Sequence, residues 1–159
     1  MGKIALELFV SWAHADERPK AALLHLLRPR LQILRDYDVG WWEDSDLDIG
    51  TGWDDSIKSR IESCDYAVQL LSPHFFASSY IRDFEIPPFV DGRRTLPIGL
   101  VPVPLDGSAD LLGIEDLQVF RHNGRSFSEL SGRKDREAFA DGLTIKILRR
   151  INADRSSVG

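Results

Sequence analysis

The sequence predicts an α/β protein in which helices cover both faces of a five-stranded parallel sheet. Short apolar runs alternate along the chain with segments of helical periodicity. Because parallel strands can be joined only by a long crossover, this alternation favours a parallel sheet. The 159 residues are 43% hydrophobic and 28% charged, which is typical of one globular domain.

The predicted strands are short and mostly apolar. They cover residues 4–10, 37–42, 65–71, 95–103 and 117–120. The fourth run contains prolines, which suit strand ends or irregular edges better than a central ladder. Five alternating strands suggest the flavodoxin-like order, in which ligands bind at the carboxyl ends of the strands, near the switch point between the first and third. Residues 11–16 and 72–85 are therefore expected at the site.

The predicted helices follow from periodicity and from end signals. Residues 17–34 carry leucines on one helical face, and a second helix begins near Trp53. Ser72 and Pro73 form a helix start, and we expect that helix to run toward residue 86, where two prolines disfavour continuation. A last helix over 135–151 completes a domain spanning residues 1–151, and residues 152–159 are expected to be a disordered tail.

Charge and composition exclude several classes of function. A net charge of −5 argues against binding of nucleic acid, which needs clustered Lys and Arg. The single cysteine, Cys64, forms no internal disulfide, and the sequence shows neither a secretory signal nor an apolar stretch long enough to span a membrane. We expect a cytoplasmic protein with no membrane partner.

Three segments in the same order and spacing resemble TIR domains (Toll/interleukin receptor/resistance) of bacterial type. They are FVSWAHADE at 9–17, the stretch 41–85, and the apolar strand near Ile98, so the match spans nearly the whole chain. In that family the first segment resembles the strand and AA loop, and WEDSDLDIG resembles the second strand leading into the BB loop. LLSPHFFASSYIRDFE looks like the third strand and the helix that carries the catalytic glutamate of NAD-cleaving members.

This resemblance implies that Glu85 is the catalytic residue. Tyr80 and Ile81 occupy the aromatic-cysteine pair that is common just upstream, with isoleucine in place of the frequent cysteine. Many members place the glutamate four residues after the aromatic, whereas here that position holds Phe84 and the carboxylate follows at five. This spacing leaves Asp83 as a rival carboxylate.

Other candidate contacts flank the same predicted cleft. The small hydroxyl of Ser11, at the end of the first strand, can reach a ligand. The Trp12 ring has two possible roles, which are stacking on nicotinamide or adenine and covering the core. His14 is expected at the surface. No metal site is expected, because the acidic run after the second strand lacks the spacing of a calcium loop. The substrate-binding candidates are Ser11, Trp12, Trp42, Asp44, Ser72 and Tyr80.

A single carboxylate is chemically sufficient for cleavage of NAD. Nicotinamide leaves as a neutral molecule from a cationic ring, so no general acid is needed and Glu85 could stabilise oxocarbenium-like charge on the ribose. The resemblance implies an NAD+ nucleosidase that releases nicotinamide and forms ADP-ribose or a cyclic ADP-ribose, with NAD as substrate and no cofactor. The alternative for Glu85 is an exposed helical residue paired with Arg82.

The main rival function is a TIR scaffold that binds other TIR domains without turnover. A receiver domain is rejected because Ser11 and Ser72 stand where acidic residues are required. A Rossmann dehydrogenase is not expected either, because Asp55 occupies the place of the third glycine of a dinucleotide fingerprint. The resemblance further implies activation by self-association with other TIR domains, a sensor domain or subunit as partner, and a role in bacterial immune, anti-phage signalling.

Overall fold

The computed structural model describes residues 2–43 and 53–158 and shows an α/β fold built on one parallel sheet. Its strands are β1 (Ile4–Ser11), β2 (Tyr37–Trp42), β3 (Tyr66–Leu71) and β4 (Thr95–Gly99). They lie in the order β2-β1-β3-β4, and every pairing is parallel. This confirms the predicted order of the first four strands, with the switch point at β1 and β3.

Five α-helices accompany these strands in the described part of the chain. They are α1 (Glu17–Gln32), α2 (Trp53–Ser63), α3 (Pro73–Ala77), α4 (Ile86–Asp91) and α5 (Arg133–Val158). A π-helical turn, Ile81–Glu85, leads directly into α4. Among the described residues, no helix is both long and apolar enough to cross a membrane.

The two faces of the sheet carry separate apolar cores. Alternate β1 residues Leu6, Leu8 and Val10 pack with the leucines of α1 and the apolar face of α5. Phe9, on the opposite face of β1, packs with Phe89 of α4 in another cluster. Because side chains alternate along a strand, the next residue on this second face is Ser11. The Ser11 side chain is thus a polar group on the same face of the sheet as the apolar cluster around Phe9.

The predicted fifth strand, residues 117–120, is reduced to one bridge in the described structure. Phe120 pairs with Ile98 in the parallel sense beside β4. Its N–H donates to the Pro97 carbonyl and its carbonyl accepts from the Gly99 N–H, each at 2.9 Å. The segment therefore reaches the expected edge of the sheet but forms no strand there.

Proline chemistry explains why this edge does not extend. The next bond of the ladder would need an N–H from Pro97, which has none. The Thr95 carbonyl, which would accept the bond after that, already accepts from Arg150 Nη1 at 3.1 Å. β4 itself ends at Gly99, four residues before the predicted end, where the next backbone N–H groups both turn back to the Leu71 carbonyl.

The helix predicted after β3 begins as expected but does not end at residue 86. Ser72 caps α3, and its Oγ accepts from the Phe75 N–H at 2.9 Å. After an interruption the helical path resumes through the π-helical turn and continues across both prolines. Pro87 and Pro88 lie at the start of α4, directly after the π-helical turn, so the helical path passes through them. Their expected role as a helix stop was wrong.

The last helix runs to Val158, so the expected disorder of residues 152–158 was also wrong. Two tyrosines of the sheet hold this extension. Tyr37 donates to Asn152 Oδ1 at 2.6 Å, and Tyr66 donates to Asp154 Oδ2 at 2.5 Å. These contacts join residues 88 or more positions apart, so the local sequence pattern does not reveal them.

Candidate functional site

The candidate site lies at the carboxyl ends of β1 and β3, where the switch-point rule places it. Ser11 is the last residue of β1, and Ser72 follows the last residue of β3. The π-helical turn packs against these strand ends and brings Glu85 to the interior, where only 1% of the residue is exposed. Residues distant in sequence thus form one buried polar group.

A short hydrogen bond joins the two central candidates. Ser11 Oγ donates to Glu85 Oε1 at 2.7 Å, across a separation of 74 residues. A buried carboxylate needs such donors, because burial strips it of water. The alternative pairing of an exposed Glu85 with Arg82 was wrong, since Arg82 Nη2 donates to Asp110 Oδ2 at 3.0 Å.

The rival carboxylate, Asp83, lies on the opposite side of the same turn. It is exposed and lines a surface groove of about 340 Å³ between α2 and α4. Positions two apart on a helical turn point to nearly opposite sides, so only one of the two carboxylates can face the strand ends. The structure gives that place to Glu85.

Trp12 lies over the first core rather than in an open cleft. The residue is 5% exposed, its ring stacks on His14 with centroids 4.8 Å apart, and Lys20 Nζ lies 3.9 Å from the ring centroid. His14 is exposed, as expected. Of the two roles considered for Trp12, this arrangement favours the cover over the core. Stacking on a ligand ring stays a prediction.

Ser72 fixes the segment after β1 to the start of α3. Besides capping the helix, its Oγ donates to Asp16 Oδ2. Asp16 is buried, and sequence reasoning had not singled it out. Both roles of the Ser72 hydroxyl are structural, and its contact with substrate stays a prediction.

The end of β2 is held to α1 by a partly buried ionic cluster. Glu43 accepts from Lys20 Nζ at 3.1 Å and also from Arg28 Nη2. Trp42, the residue before it, is buried on the Phe9 ring with centroids 4.8 Å apart. These contacts orient the chain as it leaves the sheet toward the predicted BB loop.

Two further candidates lie at the edge of the described site or beyond it. Tyr80 is half-buried, and its ring lies against Phe84 with centroids 5.0 Å apart. Asp44 lies outside the described residues. Within the described ranges 2–43 and 53–158, no group of His, Cys, Asp or Glu side chains is arranged to hold a metal ion.

Sequence reasoning also missed Gln69 on β3. This residue is fully buried, and within the described structure neither its amide nitrogen nor its amide oxygen has a hydrogen-bond partner. It is the one polar side chain in the run YAVQLL after the tyrosine. A polar interruption of a fully buried strand is the signal that could have identified it.

A parallel α/β sheet with a buried serine–carboxylate pair at its switch point defines a class of fold and site rather than an activity. A sequence model of the family described as TIR domain matches residues 8–141. The chain therefore belongs to the TIR domain family, which confirms the family that the three sequence segments indicated. No curated protein is significantly similar to the chain.

Proposed function

We propose that this chain is an NAD+ nucleosidase of the bacterial type of TIR domain, acting in the cytoplasm, with Glu85 as its catalytic carboxylate. The observation that carries the proposal is the Ser11–Glu85 hydrogen bond at the switch point. Buried acidic groups with specific partners in such places are more often functional than surface carboxylates are. Asp83, on the exposed side of the turn, serves as the internal comparison.

The proposed reaction breaks the bond between nicotinamide and ribose. The pyridinium ring takes the bonding electrons and leaves as neutral nicotinamide, so positive charge develops on the ribose. The fixed carboxylate of Glu85 stabilises that charge, and Ser11 holds the carboxylate in one orientation. Water then attacks to give ADP-ribose, or the adenine of the same molecule attacks to give a cyclic product.

Burial of Glu85 bears on how the site is reached. With 1% of the residue exposed, NAD+ can meet its carboxylate only after the surroundings open. We propose that assembly with other TIR domains provides this opening, driven by a sensor domain or subunit in anti-phage signalling. Activity should therefore rise more steeply than linearly with protein concentration.

A TIR scaffold without turnover is the second candidate. The same burial favours it, because a closed site could use Glu85 only to fix the π-helical turn on β1. A scaffold would assemble with other TIR domains and leave NAD+ intact. The two candidates therefore differ in one measurable product, free nicotinamide.

The deciding experiment incubates NAD+ with clustered protein and separates the products by chromatography. Glu85→Gln should lower the rate by about a hundredfold, roughly 3 kcal/mol of transition-state stabilisation. Asp83→Asn, the matched control two residues away, should change it less than about threefold. Circular dichroism and size-exclusion chromatography check that both variants fold and assemble.

Two outcomes would count against the proposal. Wild-type protein that assembles but releases no nicotinamide would leave the scaffold as the function. Loss of activity in Asp83→Asn with full activity in Glu85→Gln would show that the carboxylate has been assigned to the wrong side of the turn.

A further inference from the structure

Gln69 is a buried polar residue of the interior that the proposed reaction leaves unexplained. Gln69 is fully buried in the central strand β3. Within the described structure neither its amide nitrogen nor its amide oxygen has a hydrogen-bond partner. Buried polar groups are almost always hydrogen-bonded, so each exception calls for a reason. An unpaired amide lowers stability, and proteins retain such groups most often where function needs them.

The register of the sheet places this amide beside the candidate site. Gln69 is the partner of Ser11 across the β1–β3 pairing. Strands in a sheet lie about 4.8 Å apart, and paired residues of parallel strands point to the same face. The Gln69 side chain therefore lies next to the hydroxyl that donates to Glu85.

The surroundings of Gln69 separate it from other polar groups. The residues before and after it on the same face, Ala67 and Leu71, belong to two different apolar clusters. On the side away from Ser11 its register neighbour is Pro97, which has no polar side chain. Gln69 thus shares one polar layer with Ser11 and Glu85. This layer lies between the apolar cluster that contains Ala67 and the one that contains Leu71.

We infer that Gln69 is a positioning residue for Glu85, an inference that rests on the proposed NAD+ cleavage. In the open, substrate-loaded state its amide NH2 donates to the Glu85 carboxylate, which then receives donors from β1 and β3 together. Two donors from neighbouring strands fix the orientation of a carboxylate more tightly than one, and orientation affects turnover more than substrate affinity. In the closed state the same amide only lowers stability.

The test uses Gln69→Met, which keeps the length of the side chain and removes both polar atoms. Thr95→Val is the matched control, because the Thr95 hydroxyl on β4 is also buried, has no partner among the described residues and lies outside this polar layer. Urea midpoints and the kcat and KM for NAD+ are measured on clustered protein for both variants and the wild type.

Both variants should unfold at higher urea than the wild type, because each removes an unpaired buried group. Only Gln69→Met should lose turnover, with kcat falling about tenfold or more and KM changing less than about twofold. In Thr95→Val both constants should stay within about twofold of the wild type. A merely structural role of Gln69 would change stability without this selective loss of kcat.

Each other outcome has a definite meaning. Unchanged kcat in Gln69→Met, with an active wild type, would show that the amide is only a packing defect. A Gln69→Met protein that unfolds at lower urea or fails to fold would show that the amide is bonded in the native state, which also overturns the inference. A wild type without activity would instead remove the proposed function, as a separate result.

Discussion

Replacing Ser11 with alanine removes the hydroxyl that donates to Glu85 Oε1 at 2.7 Å. Both residues are buried, so water does not replace the lost donor. A hydrogen bond to a charged group contributes about 1.5–3 kcal/mol, against about 0.5–1.5 kcal/mol for a neutral pair. At roughly 2–4 °C per kcal/mol for a chain of this size, Ser11→Ala should lower Tm by about 3–12 °C.

A double-mutant cycle isolates the charged part of this interaction. In a Glu85→Gln background the amide oxygen can still accept from Ser11, so Ser11→Ala should cost only about 0.5–1.5 kcal/mol there. The assay is urea unfolding at pH 7, comparing midpoints among variants that share one m value. An equal cost of Ser11→Ala in both backgrounds would refute the idea that a charged carboxylate is the partner of Ser11.

Four further outcomes are expected. Burial raises the pKa of the Cys64 thiol from 9.0 to about 11. At pH 8 the thiol of the native protein should therefore react with iodoacetamide far more slowly than that of the unfolded protein, and mass spectrometry of the alkylated protein measures the two rates. The pKa of Cys64 is higher in the folded than in the unfolded protein, so its contribution to the free energy of unfolding should be fully present below pH 9 and should decrease as the pH rises toward 11. Urea unfolding at a series of pH values measures this decrease. Gly99→Ala places a Cβ 2.9 Å from Ser126 Oγ and should cost about 1–3 kcal/mol, measured as a lower Tm. Tyr66→Phe removes the donor to Asp154 and should speed amide exchange in the last turns of α5 while leaving β3 protected.

Local patterns were sufficient to place the strand ends that form the candidate site. Short apolar runs between helical segments predicted the first four strands. The switch-point rule then placed Ser11 and Ser72 at the strand ends, where the structure has them. Chain separation does not matter to that rule, because it depends only on strand order. The sequence therefore predicted that Ser11 and Glu85 lie in the same region of the fold, although it did not predict the hydrogen bond between them.

Two of the failures depend on contacts between segments far apart in sequence. The end of α5 depends on tyrosines of the sheet, and the missing fifth strand depends on the use of the Thr95 carbonyl by Arg150 together with the missing N–H of Pro97. Hydrophobic periodicity contains no information on such polar contacts. Asp16 lies within the range expected at the site, but its bond to Ser72 was not foreseen for the same reason, since the two residues are 56 positions apart.

The π-helical turn accounts for the five-residue spacing between Tyr80 and Glu85. In an α-helix the residue four positions on returns to the same side, whereas a π turn bonds residues five apart. The bond from the Ile86 N–H to the Ile81 carbonyl has this longer spacing. A carboxylate five residues after Tyr80 thus takes the place that a four-residue spacing would give in an α-helix. Consistent with this, Phe84, four residues after Tyr80, is 45% exposed, while Glu85 is buried against Ser11. Within this turn the residue five positions after Tyr80, rather than the one four positions after it, therefore faces β1.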